Sequence, residues 1–96
     1  MAEITRMTER EVALLRVPGG QRVLMIGGKN YVDVTEATRV IAHTHPSGVL
    51  EFSEDDIRTL LKKSGQKSSV VISPSGEGKR LAVPLEEVQY EQEILP

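Results

Sequence analysis

A chain of 96 residues has the length of one small domain with little core to spare. Hydrophobic residues make 39% of it, charged residues 27% and aromatic residues 3%, an ordinary soluble composition whose core has to be built from Val, Leu and Ile. Lys+Arg 12 against Asp+Glu 14 gives a net charge of -2 with no basic stripe along the sequence, which argues against a nucleic-acid partner. The chain has no cysteine, so disulfides and thiolate metal sites are excluded and any metal must use His, Asp or Glu. No apolar run reaches the length of a membrane span, and the N-terminus lacks the apolar stretch of a signal peptide. The expectation is a cytoplasmic chain without a membrane partner.

In chain order, "EVALLRV" (11–17) is β-rich, "PGG" (18–20) is turn chemistry, and "QRVLMIG" (21–27) returns as a second strand, so the pair reads as a hairpin. "GKNYVDV" (28–34) predicts a short third strand, and "TEATRVIAHTH" (35–45) ends in a strand that stops at Pro46. "SEDDIRTLLKKSG" (53–65) is the clearest helix, with Ser53 as N-cap, acids in the first turn, lysines in the last and Gly65 at the C′ position. "SSVVIS" (68–73) and "KRLAVP" (79–84) predict strands around the turn "PSGEG". "LEEVQYEQEIL" (85–95) reads as an acidic amphipathic helix with a solvated glutamate face. The glycines of "PGG" and "SPSGEG" are hairpin turns, because neither is followed by the Lys-Ser/Thr of a phosphate loop.

The stretch "VIAHTHPSGVLEFSEDDI" (40–57) carries the chemistry. His43 and His45 are two apart, so in a strand their rings share one face. Seven residues lie between His45 and Ser53, enough for a loop that brings a helix N-terminus back to the imidazoles. Asp56 follows one turn into that helix. Two imidazoles and one carboxylate around zinc leave a fourth position for water, the pattern of a catalytic site. A metal there would bring the pKa of that water toward neutrality. Ser53 and Asp56 are also a variant capping box, and for that pair alone capping is the plainer reading. Yet Asp56 lies four residues before Leu60, at the edge of the apolar stripe of Ile57, Leu60 and Leu61, where a carboxylate needs a partner. Both readings can hold together.

The spacing from His43 and His45 to Ser53 and Asp56 resembles the H-x-H-x7-S-x-x-D signature of the JAMM (MPN-type) metalloproteases, and "HTHPSG" resembles the variants of bacterial JAB-type members. The resemblance spans roughly residues 11 to 84. It implies an α/β (α+β) domain, compact and MPN/JAB-like (cytidine-deaminase-like), with a small mixed sheet flanked by helices. It implies one zinc ion held by His43, His45 and Asp56, and peptidase or isopeptidase chemistry on a protein or peptide substrate, with Ser53 stabilising the oxyanion. It also implies an upstream glutamate as general acid/base at the opening of the first strand. Glu11 is the preferred match, and Glu9, with the same strand parity, is the second. Without the downstream motif, Glu11 reads as an exposed strand-entry charge.

The chain is shorter than a typical JAMM domain and has no room for the loops by which eukaryotic deubiquitinases of this family grip ubiquitin. The hairpin, "GGKNYVDV" and the short route to "HTHPSG" resemble the JAB-like domains of polymorphic toxins. That likeness implies the module of a larger exported polypeptide, with an immunity protein as partner. The other class of reading is a catalytically silent MPN-like interaction module. Silent members usually lose metal ligands, and all three are present here. In either case residues 1–96 are expected to form one domain, with a core over 11–84 and an acidic tail over 85–96.

Overall fold

A computed structural model describes residues 1–63 and 65–84, which form a five-stranded mixed sheet with two helices, an α+β architecture. The elements in order are α1 (Ala2–Thr8), β1 (Val12–Arg16), β2 (Arg22–Ile26), β3 (Arg39–Thr44), α2 (Glu54–Leu61), β4 (Ser68–Ile72) and β5 (Gly78–Ala82). Across the sheet the strands run β2-β1-β3-β4-β5. The β1–β2 and β4–β5 pairs are the antiparallel hairpins expected from their turn residues, and β1 is antiparallel to β3. β3 and β4 are parallel, joined through α2. No helix among the described residues is long and apolar enough to cross a membrane. The acidic tail at 85–95 lies outside the described residues.

The two faces of the sheet follow from alternation. Ala13 and Leu15 of β1 and Val40 of β3 point to one face, where Leu60 of α2, Ala37 and Val83 complete a buried cluster. Val12 and Thr44 point to the other face, which α1 meets through Thr5. Thr44 Oγ1 accepts the Val12 N–H at 2.8 Å and bonds to the Thr5 hydroxyl, with Thr5 and Thr44 both buried. A side-chain oxygen thus takes the place of a ladder carbonyl, and one threonine locks α1, the start of β1 and the end of β3 together.

β3 carries a bulge. Leu14 pairs with Ala42 but Leu15 pairs with Val40, so Ile41 is the extra residue. Buried Gln66 repairs the interrupted ladder. Its side chain accepts the Val40 N–H at 3.0 Å and donates to the carbonyls of Val40 and Ser68.

Two expected elements differ. Residues 28–34 form no strand, contrary to the pattern of "GKNYVDV". Gly28 N–H donates to Tyr31 O at 2.8 Å, which turns the chain back, and Val32 and Val34 pack on the core instead of extending the sheet. Gly27 is required for this turn, since a Cβ there would sit 2.0 Å from Tyr31 O. Helix α2 ends at Leu61 with Lys62 as C-cap, short of the expected Gly65. Lys62 and Lys63 N–H groups bond three residues back, which tightens the last turn. Lys63 Nζ then donates to Val34 O at 2.8 Å and Ala37 O at 2.7 Å, fastening the folded-back segment to the helix end.

Candidate metal centre

The centre forms where β1 begins, β3 ends and α2 begins. Glu11 precedes β1 by one residue, and its backbone exchanges 2.8 Å hydrogen bonds with Gly27 and Gly28 at the end of β2. Being two residues from Ala13, its side chain lies on the α2 face. His43 pairs with Ala13 across the ladder and shares that face. His45 continues the same parity, and its N–H donates to Ile72 O at 3.0 Å, which keeps the chain straight past the end of β3. The Pro46–Gly48 turn follows, with Gly48 at φ +83°, and the loop returns to α2.

Ser53 is the N-cap of α2 and forms a reciprocal capping box with Asp56. Asp56 N–H donates to Ser53 Oγ at 3.1 Å, while Ser53 N–H donates to Asp56 Oδ2 at 2.9 Å. The cap therefore aims the carboxylate. Asp56 Oδ2 stands 3.0 Å from His43 Nε2 and 2.9 Å from His45 Nε2, and the two imidazole nitrogens are 2.9 Å apart. Glu11 completes the group, with one donor atom from each of Glu11, His43, His45 and Asp56 within 4.8 Å of the others. Glu11, His43 and His45 are buried.

The contacts on the imidazoles bear directly on whether a cation fits. His45 Nδ1 lies 2.9 Å from Val49 O. A carbonyl only accepts, so Nδ1 carries the proton and Nε2 of the neutral ring presents a lone pair to the Asp56 carboxylate. Two acceptors at that distance repel unless a proton or a metal ion lies between them. A backbone carbonyl on the distal nitrogen is the usual device for orienting a metal-ligating histidine. His43 is held differently. Its ring stacks against Phe52, with centroids 6.3 Å apart and planes 13° from parallel, and its buried Nδ1 has no hydrogen-bond partner among the described residues. Bonds of about 2.0–2.2 Å to zinc imply tetrahedral donor–donor edges of roughly 3.3 Å. The three donor atoms of His43, His45 and Asp56 need to open by only a few tenths of an ångström. The buried Glu, His, His and Asp can therefore hold a metal ion.

The protonation preferences of the metal-free group follow from the same contacts. Burial, and after it the Asp56 charge, raises the Glu11 carboxyl above its ordinary value, with both imidazoles pulling the other way. Burial alone would raise the Asp56 carboxyl too. Hydrogen bonds from His43 and His45, the His43 charge and the Ser53 N–H outweigh it and hold Asp56 far below the usual carboxylate range. The hydrogen bond to Asp56 raises His45, against the opposing effect of burial.

All five residues expected from the sequence converge here. Glu11 is buried at the centre and is no exposed strand-entry charge. Glu9 does not share its strand parity. It is the exposed C-cap of α1 with φ 54°, outside β1. Sequence reasoning missed Thr44, Val49, Phe52 and Gly27. Alternation alone places Thr44, between the two histidines, on the reverse face, and the consecutive glycines 27 and 28 marked a turn. The Val49 carbonyl left no signal, because a backbone acceptor is available at every residue.

The centre opens to solvent through a cleft of about 590 Å³ lined by Glu9, Glu11, His45, Ser47, Phe52 and Ser53, with a smaller cavity of about 150 Å³ reaching His43, Asp56 and Leu60. A larger cavity, about 850 Å³, lies at the opposite end beside Arg16, Arg39 and Lys62. No family model, no curated protein and no solved structure matches the chain.

Proposed function

We propose that the chain is a JAMM-like peptidase or isopeptidase in which His43, His45 and Asp56 hold one zinc ion and Glu11 serves as general acid/base. The observation that carries this reading is the pair of imidazole Nε2 atoms and one carboxylate oxygen at 2.9–3.0 Å from one another, with a second buried carboxylate beside them. Two imidazole nitrogens and one carboxylate oxygen with a fourth position left for water are the donor set of a catalytic zinc site. When bound, the ion would lower the pKa of a water molecule and polarise the scissile carbonyl.

The chain's own residues supply the rest. Burial raises the Glu11 carboxyl above its ordinary value, which makes its carboxylate a stronger base. It takes a proton from water as the water oxygen adds to the carbonyl carbon. It returns that proton to the departing nitrogen as the C–N bond breaks. Ser53 accepts the Asp56 N–H with a lone pair, so its own hydroxyl hydrogen is left to donate into the cleft it lines, toward a developing oxyanion. Asp56, held far below the usual carboxylate range, stays ionised and is suited to ligation, not to proton transfer.

The test is the Glu11→Gln variant, assayed on peptide and isopeptide substrates beside its metal content. The expected result is retained zinc with activity lost. A variant that keeps both contradicts the assignment. A wild-type protein that binds zinc and a partner but hydrolyses nothing supports the silent interaction module instead.

A further inference from the structure

The small cavity beside the metal centre, about 150 Å³, is enclosed by β3, α2 and the folded-back segment 28–34. Glu11, His43, Ser53 and Asp56 line it where it meets the centre, and Val32, Val34, Val40 and Leu60 give it an apolar wall. Val40 and Leu60 belong to the buried core, and Val32 and Val34 pack against that core. The cavity therefore brings the apolar interior up to the reacting groups.

The segment that leaves the sheet shapes this wall. The turn at Gly27 and Gly28 carries Val32 and Val34 onto the core. The Tyr31 ring lies against Gly28, where a Cβ would stand 2.5 Å from Tyr31 Cε1. Tyr31 lines the cavity while 68% exposed, so its ring stands at the rim.

Size and chemistry select an occupant. An apolar cavity of roughly 150 Å³ takes a benzene-sized group. A Leu, Ile, Met or Phe side chain therefore fits, and Trp does not. Close-packed interiors keep few voids larger than a water molecule, so the lining side chains gain contacts when the space is filled. A charged side chain would exchange water for aliphatic carbon. An acidic one would also face Asp55 and Asp56, which line the same cavity. The wider cleft on the His45 side shares Glu11 and Ser53 with this cavity. A peptide lying in that cleft across the centre can thus place one side chain in the cavity.

We propose that this cavity is a specificity pocket, taking the apolar side chain of a substrate residue that flanks the scissile amide. The proposal rests on the peptidase reading above and narrows its substrates to peptides with Leu, Ile, Met or Phe beside the cleaved bond.

A peptide library given to the zinc-loaded full-length protein, with cleavage sites read by mass spectrometry, tests it. Leu, Ile, Met or Phe should occupy one of the two positions flanking the cleaved bond. In matched peptides, kcat/KM with Leu there should exceed that with Ala by at least about tenfold. Val34→Ala enlarges the cavity and should admit Trp. Val32→Phe fills it and should turn the preference to Ala and Gly. Destabilisation alone lowers rates without reversing a preference. Binding gives a second readout that needs no hydrolysis. N-acetyl-leucinamide should shift the methyl resonances of Val32, Val34, Val40 and Leu60, and N-acetylglycinamide should not. Cleavage without an apolar preference at either flanking position overturns the proposal and leaves the peptidase reading in place. A preference that neither variant moves does the same. Leucinamide binding at these methyls in a protein that hydrolyses no peptide upholds the apolar pocket and removes the peptidase reading. Neither binding nor cleavage overturns both.

Discussion

Where β1 begins and β3 finishes, four ionisable side chains come together, three of them buried and Asp56 half-buried. Where β1 finishes and β3 begins, three arginines face one another across the same strands and stay in water. The strands and the ladder are shared, but the physics is not. A buried charge has to be neutralised, paired or bound to a cation, so its position is fixed to tenths of an ångström. An exposed charge is screened, so its neighbours can be of like sign at small cost. Substitutions at the two ends should accordingly differ by orders of magnitude in effect.

The largest effect belongs to Glu11. Glu11→Gln keeps size and hydrogen-bonding reach but cannot take a proton, so it should fold, bind zinc and lose at least about 100-fold in peptidase turnover. Glu9→Gln, on the exposed cap of α1, should stay within about twofold in the same assay. Ser53 comes next and separates capping from catalysis. Ser53→Asp retains an acceptor for the Asp56 N–H but cannot donate to an oxyanion. Its denaturation midpoint should stay close to wild type while turnover falls roughly 100- to 1000-fold. Full activity in that variant would leave Ser53 as a cap alone.

Stability changes follow. Thr44→Val should lower unfolding free energy by about 1–3 kcal/mol in urea titrations, because the Val12 N–H and the Thr5 hydroxyl lose their shared buried partner. The pH dependence of the metal-free protein is smaller and has a defined sign. His45 is raised above its ordinary 6.5 by Asp56, so its contribution is complete below that value and disappears as pH rises through the folded-state pKa. Metal-free protein should therefore melt at lower temperature as pH rises from 6 to 8. Zinc affinity should move the opposite way, weakening as pH falls and protons reclaim the imidazoles. At the arginine end, Arg22→Ala should change stability by no more than about 0.5 kcal/mol in the same urea titrations.

The same contrast explains what was legible in the sequence. His43, His45, Ser53 and Asp56 could be read because alternation in a strand and helix capping are local rules, and one loop of fixed length joins them. Glu11 could be placed only because the resemblance calls for a glutamate at the opening of the first strand; by itself it reads as an exposed charge. The row of Arg16, Arg22, Arg39 and Arg80 could not be read, since it exists only through strand pairing across the sheet, including the bulge at Ile41. The strand expected over 28–34 failed for a related reason. Its alternating Tyr31, Val32, Asp33 and Val34 fit a strand locally, but the close approach of Gly27 to Tyr31 turns the segment onto the core. The helix end moved to Leu61 because Lys63 serves the distant carbonyls of Val34 and Ala37. Capping and closeness to the imidazoles hold together, since one Asp56 carboxylate oxygen accepts the Ser53 N–H and stands within 3.0 Å of both rings.

The central claim is that the buried cluster is a metal centre. It is tested most directly by zinc content per chain, measured by elemental analysis on protein purified without chelators and again after refolding with excess zinc. The account predicts one equivalent in the wild type and loss of it in His43→Ala and in Asp56→Ala. A wild-type protein that retains no zinc after refolding, or an Asp56→Ala variant that binds a full equivalent as tightly as wild type, would contradict it.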